Sequence, residues 1–391
     1  MEVTATEFLK QAASTAEHFG FKSIDVLKRH PECRSCARKL EHTASAQDRR
    51  IDALHGMLTS GMSTFCESKL HEIKEPVLFY TTDQVPRSGE AAVTFQVFNV
   101  EKSIAEAILI QASRALTQDL GYQNHAVRIN SIGDRDSSTR YIRELTNYLR
   151  KRIDDMPEAA RELMKEHVMT ALMHLVEKEH ELAYRTPNPL EYLSDQSRKH
   201  FREIVEYLDM TDTPYEIDPK LIGHHECYSD ALFAIDLLDE EGSRLPHAPL
   251  FIRGGRYSEF VYRNTKQPIA AAGAVIVLRD KKAPVRAPRV KVTIPAVYVV
   301  QLGFGPKIRT LMLIDELRKS GITVYQNLAS DSLSSQLRDA EARNVKYTVI
   351  IGQKEYVDGT VILRDMEGRN QESVPIAILS QRLKRSALAT V

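Results

Sequence analysis

No apolar run in these 391 residues approaches the ~18 that a membrane-crossing helix needs. The opening residues Met1-Glu2-Val3-Thr4 lack the basic stretch and apolar core of a secretory signal. Cysteine is scarce as well: four residues in a chain of this length make no disulfide framework. The expectation is a reducing, cytoplasmic setting with no membrane contact. An excess of either charge is also missing. Lysine plus arginine and aspartate plus glutamate each total 53, so no global basic field points to nucleic acid. A local patch on a neutral protein still neutralises phosphates, so RNA stays open as a partner. Internal repeats and low-complexity tracts are absent. What is present is an ordinary globular composition, 42% apolar and 27% charged, and enough length for two or three domains with real cores.

Apolar spacing predicts a helix over residues 5–19 through Phe8, Leu9, Ala12, Ala13, Ala16 and Phe19, stopped by Gly20. Residues 77–80 and 93–100 read as strands around a polar loop with Pro86, Ser88 and Gly89, which predicts an antiparallel hairpin. Residues 101–119 are helical by pattern and 127–129 form a short strand. Residues 137–209 read as nearly continuous helix, broken at Pro157 and at 186–189, with Ser194 capping a helix whose apolar face is Phe201, Ile204, Val205 and Leu208. Strands follow near 228–236, 249–253 and 269–278. Prolines and charges between Asp280 and Pro295 mark a linker. Beyond it, strands at 297–302, 322–325, 347–351 and a final one at 360–363 alternate with helices at 307–320 and 333–343. That alternation predicts parallel βαβ units.

The segments Val297–Gly303, Ser332–Ala340 and Val349–Glu355 resemble the anticodon-binding domain of histidyl-tRNA synthetase. Asn130-Ser131-Ile132-Gly133, Thr213–Pro219, Leu221–Ser229 and Gly254-Gly255-Arg256-Tyr257 resemble that family's core, in its order and over most of the chain. The resemblance implies an α/β protein with an α+β core. A class II synthetase antiparallel sheet with flanking helices would occupy 1–280, with a helical insertion at about 137–210. A linker at 281–295 and a C-terminal α/β anticodon-binding-type domain at 296–391 would follow. It also implies homodimerisation.

The same resemblance points to site residues. Arg87 would grip the ATP α-phosphate through its planar fork of donors, and Arg279 or its neighbour Asp280 would occupy the second ATP-binding arginine position. Arg256 is the remaining catalytic candidate. The substrate pocket would be lined by His224, His225, Glu226, Tyr228, Gly254, Gly255, Arg256 and Tyr257. Departures are as informative. The family's Leu-Val-Arg-Gly segment becomes Leu221-Ile222-Gly223-His224, so its charge-stabilising arginine falls on Gly223. Its substrate-binding glutamate falls on Gly61, the loop from Ser88 to Val97 is shorter and has lost its arginines, and the usual aspartate after Tyr257 is Ser258. Adenylation needs fixed positive charge around a triphosphate, and one lost donor typically costs on the order of 10²–10³ in rate.

Cys33-Arg34-Ser35-Cys36, with His30 and His42, has the donors of a zinc site, yet the spacing matches no standard finger, so two free thiols are the alternative. Three functions stay open. One is a synthetase-like protein, weak or inactive in histidine adenylation, that binds tRNA or other structured RNA, a small ligand or a protein. Another is an active histidine–tRNA ligase using ATP and Mg. The last is an adenylating enzyme for another carboxylate.

Overall fold

The computed structural model describes residues 3–24, 58, 61, 65, 75–85, 88–224, 227–284 and 295–388. Cys33, Cys36, Arg87, His225 and Glu226, all singled out by the sequence, lie outside the described residues.

Strands from the first three quarters of the chain build one eight-stranded sheet. They are β1 (Lys22–Ser23), β2 (Val77–Gln84), β3 (Glu90–Phe98), β4 (His125–Gly133), β5 (Tyr215–Ile217), β6 (Ser229–Leu237), β7 (Leu250–Arg256) and β8 (Ala271–Lys282), in the order β1-β2-β3-β8-β7-β6-β4-β5. Its six central strands pair antiparallel and both edge pairs are parallel. Alternation along the central strands separates two faces. Val93, Phe95, Phe233, Ile235, Ile252, Ala274 and Ile276 join one core with helices α1 (Ala5–His18), α2 (Ile104–Asp119) and the later α7 (Asp195–Met210). Residues of opposite parity, among them Phe79, Phe98, Phe251, Val275 and Val277, face the other way and form a second cluster with Leu58 and Phe65. We call the two the helix face and the open face.

The insertion contains α3 (Arg135–Arg150), α4 (Glu158–Glu166), α5 (Val168–Glu177) and α6 (Glu181–Tyr184), followed by α7. Tyr141, Leu145, Leu149, Leu172 and Leu175 give it a small core of its own. Asp134 caps α3 by accepting from the Ser137 amide at 2.9 Å and also accepts the hydroxyl of Ser194, the cap of α7, at 2.6 Å. The two helix starts are thereby tied together.

After α8 (Ser258–Thr265), β8 runs through Lys281 and Lys282, two residues into the expected linker. Asp280 adopts φ +61°, and its amide donates to Glu90 Oε1 at 3.0 Å, so the strand continues past this irregularity and Lys282 pairs with Glu90. The second sheet has the order β10-β9-β11-β12-β13, with β9 (Val297–Gln301), β10 (Val324–Gln326), β11 (Tyr347–Ile351), β12 (Thr360–Asp365) and β13 (Gln371–Pro375). The β10, β9 and β11 trio is parallel, as the alternation predicts, with crossover helices α9 (Phe304–Lys319) and α10 (Leu333–Ala342). Thr360–Asp365 is not the last strand. It and β13 pair antiparallel, and two further helices, α11 (Gln353–Asp358) and α12 (Ile376–Leu388), belong to this unit. In β13 only Val374 is buried, which leaves no apolar alternation to read.

The C-terminal unit is seated on the helix face. Arg318 bridges Asp119 at 2.5 Å, Gln326 donates to the Phe19 carbonyl at 2.8 Å, and the Tyr207 and Phe304 rings meet at 4.7 Å. Lys102 and Lys307 both reach Asp331. Among the described residues no helix is long and apolar enough to cross a membrane.

Candidate functional site on the open face of the central sheet

Gly254 and Gly255 sit where β7 crosses β6 closely. A Cβ on Gly254 would lie 2.4 Å from the Phe233 ring, and Gly255, at φ +158°, has the Ala231 carbonyl 2.6 Å from its would-be Cβ. The pairing shifts register at this point, and the glycines allow it. The pair acts on backbone approach, and the next residue turns to the helix face.

That residue is Arg256. It is 4% exposed. Its Nε and Nη2 donate to the two oxygens of Glu106 at 2.7 and 2.8 Å, and its remaining donors reach the carbonyls of Val100 and Lys102 at 3.0 and 3.2 Å. His200 Nε2 lies 2.9 Å from Glu106 Oε1. Burial would push the Glu106 carboxyl up, but Arg256 and then His200 hold it down to about 2. Burial alone would lower the His200 pKa, and Glu106 raises it above the ordinary value. Arg256 is thus a bidentate structural anchor between β7, α2 and α7. Sequence spacing missed its partners. The available signal was Glu106 itself, a lone carboxylate within Ile104-Ala105-Glu106-Ala107-Ile108-Leu109-Ile110.

Tyr257 turns to the open face. It is fully buried, sits edge-on to Phe98 at 6.1 Å, and donates to Gln96 Oε1 at 2.5 Å. Phe65 stacks on the same Phe98 ring at 4.0 Å. Gln96 is held between two glycines. A Cβ on Gly61 would stand 2.5 Å from its Nε2, and one on Gly273 would stand 2.6 Å from its Oε1. The position expected to hold a substrate-binding glutamate therefore faces a packed amide. Gly61→Glu is expected to lower stability by about 1–3 kcal/mol, because the larger side chain has to displace a pinned one. Urea unfolding measures this, and an unchanged midpoint would mean that Gln96 moves aside without cost.

Gly223 behaves alike. A Cβ there would lie 2.2 Å from Tyr228 Cδ2 and 2.8 Å from Cε2. His224 does not extend β6, which begins at Ser229. The amides of Cys227 and Tyr228 both donate to the His224 carbonyl, at 3.0 and 3.2 Å, which makes a turn before the strand begins at Ser229. The Tyr228 ring packs toward Ile132, Leu221, Leu232 and Ala234, over the β4–β6 side of the open face.

Arg279 also faces the open side. Its Nη1 donates to the Ala248 carbonyl at 3.3 Å, and its guanidinium lies 5.2 Å from the centre of the Phe251 ring. Phe251 stands opposite Val277 in the register, so two apolar side chains occupy this end of the face. Arg253, which the sequence reading passed over, lies at the same 5.2 Å from Phe251. A separate groove of about 740 Å³ on the insertion, lined by Ile142, Met164 and Val168 among others, contains none of the residues singled out by the sequence.

Residues 297–386 match the family described as "Anticodon binding domain". The chain is 26% identical over 282 residues to the histidine–tRNA ligase of Geobacillus sp. (strain WCH70), covering 71% of this chain and 66% of that one. It is 28% identical over 273 residues to that of Geobacillus thermodenitrificans, covering 68% and 63%, and 24% identical over 376 residues to that of Latilactobacillus sakei, covering 92% and 86%. This chain is similar to the histidine–tRNA ligases over most of its length. The match spans somewhat less than two thirds of the length of the two Geobacillus relatives. Among solved structures, the apo S. aureus histidyl-tRNA synthetase aligns with a TM-score of 0.44 at 17% identity, over 83% of this chain and 81% of that one. The eight-stranded antiparallel-centred sheet and the C-terminal anticodon-binding domain are the fold expected of such a relative.

Proposed function

We propose that this synthetase-like protein does not charge tRNA with histidine and acts by binding, with tRNA or another structured RNA held by its anticodon-binding domain. The observation that carries this reading is the Tyr228 ring lying against Gly223. The place of the synthetase arginine is taken by a rigid aromatic, and the place of the substrate-binding glutamate faces Gln96. Arg256, a retained arginine, is engaged by Glu106 on the helix face. ATP with Mg would rest on Arg87 and Arg279. Of these, Arg279 already touches the Ala248 carbonyl and the Phe251 ring. The match to an anticodon-binding family over residues 297–386 supports the RNA partner. A homodimer and a cytoplasmic location are part of the same reading.

The test is ATP–pyrophosphate exchange on the full chain, paired with tRNA capture on filters. Exchange with histidine should fall on the order of 10²–10³ or more below a working synthetase, since at least two charged contacts are lost. Capture of tRNA should weaken steeply as salt rises, as phosphate contacts require. Brisk exchange with histidine would overturn the first half of the reading, and salt-insensitive or absent capture the second.

A further inference from the structure

Arg253 lies in the middle of the open face. On β7 it follows Phe251 with the same parity, and its register partners are Val275 on β8 and Ala234 on β6, neither of which offers a side-chain acceptor. The residue is half-buried, and its Nη1 is enclosed without a hydrogen-bond partner among the described residues. Asp236 and Asp218 act on it through space, while their hydrogen bonds go to other cations. Arg128 takes Asp218 at 2.8 Å and Asp236 at 3.2 Å, and Arg244 adds contacts to Asp236 and Glu216. Contact with the Phe251 ring spreads some of the charge but accepts none of the N–H groups. Burial, and then the neighbouring Arg128, bring the Arg253 pKa down to about 10. A guanidinium in this position weakens a fold unless something compensates it, and such perturbed charges concentrate at functional sites.

Tyr228 stands beside it. Its ring packs on the cluster that contains Ala234, the register partner of Arg253, so both side chains share this part of the open face. An unbonded guanidinium nitrogen beside a tyrosine on the same face suits one kind of ligand group. It has several oxygens, carries negative charge, and is compact enough for the planar fork of an arginine.

We propose that Arg253 and the Tyr228 hydroxyl bind the carboxylate or phosphate group of a small ligand on the open face of the central sheet, an assignment that rests on the histidine pocket having been remodelled. The charge lost at position 223 is thus answered from a different strand. Arg253 lies on β7, opposite Ala234 and Val275, and so approaches a ligand from a different place than a side chain at residue 223; the ligand need not be histidine.

The experiment uses full-length wild type, Arg253→Met, Arg253→Lys and Tyr228→Phe. Each is titrated with the free L-amino acids one at a time, with inorganic phosphate and with AMP, by thermal shift and calorimetry. At least one probe should raise the wild-type Tm. Arg253→Met should weaken that probe by about 10–100-fold, the usual worth of a hydrogen bond to a charged group. Arg253→Lys should recover part of the loss, and Tyr228→Phe should weaken binding more modestly. Without probe, Arg253→Met should melt about 2–4 °C higher than wild type, since it removes a half-buried charge whose Nη1 is unbonded and keeps the shape. Response to amino acids alone identifies a carboxylate, and response to phosphate and AMP identifies a phosphate. The assignment is overturned if no probe shifts the wild type, if Arg253→Met binds as well as wild type, or if its free form melts lower, as a purely structural arginine would. Histidine-dependent pyrophosphate exchange on the same samples reports separately on the remodelled pocket. Exchange would end that reading, while the Arg253 comparison would still be decided by binding.

Discussion

Gly223→Arg should leave histidine-dependent pyrophosphate exchange at background and lower stability by about 1–3 kcal/mol, the usual range for overpacking. The clash begins at Cβ, which every rotamer of arginine shares, and that atom would stand 2.2 Å from Tyr228 Cδ2. A ring cannot swing its edge away as a long flexible side chain does, and this one is backed by Leu221, Leu232 and Ala234. Restoring the synthetase arginine therefore requires removing the tyrosine. In a double-mutant cycle, Tyr228→Ala makes a void that Gly223→Arg partly fills. The two costs should then fall short of additivity by about 0.5–3 kcal/mol, as for residues in direct contact. Urea unfolding of the four proteins measures this coupling. If Gly223→Arg costs the same with and without Tyr228, the contact is not what excludes arginine. If the single variant switches on exchange, the histidine site was never filled and Tyr228 does not exclude arginine.

Periodicity made the scaffold legible where burial is one-sided. Helix α1 shows its buried stripe of Phe8, Leu9, Ala12, Ala13 and Ala16 directly, and the β2–β3 hairpin and the Ser194 cap follow from local residue chemistry. The two-residue β1 and the exposed β13 carry no such stripe, because edge strands rest on pairing rather than on apolar alternation. The site was legible in a narrower sense. Resemblance located Gly61 and Gly223, but a missing side chain does not say what fills its space. Gln96 and Tyr228 come from other points on the sheet, and only register brings Gln96 beside Gly273. Arg256 carried a catalytic expectation from the resemblance, and its ion pair was not legible because Glu106 is 150 residues away in sequence. Arg253 went unremarked because a charged residue alternating with apolar ones reads as a solvated strand face. Here that face is partly roofed.

The buried ion pair under the site should dominate the acid sensitivity of the fold. Glu106→Gln keeps the shape but leaves Arg256 without its counter-charge, and breaking a buried pair in this way typically costs about 3–5 kcal/mol. The pH dependence follows from the two shifts. Glu106 moves from an ordinary 4.5 in the unfolded chain to about 2 in the folded one, so its stabilisation is complete above about pH 4.5 and is lost as pH falls through about 2. His200 moves the opposite way for a base. Its folded value lies above the ordinary 6.5, so its contribution is complete below that pH and is lost as pH rises through the raised value. Between about pH 4.5 and 6.5 both act together. Asp230, held up by burial and bonded to Ser197 at 2.9 Å, is present in both proteins, as are all the surface carboxylates. The informative quantity is therefore the wild-type stability minus that of Glu106→Gln across the pH range. It should be largest between about pH 4.5 and 6.5 and shrink on either side, more steeply toward acid. A difference that stays constant from pH 2 to 9 would mean that Glu106 contributes through packing alone, and Arg256 would have to be returned to the list of groups available to a ligand.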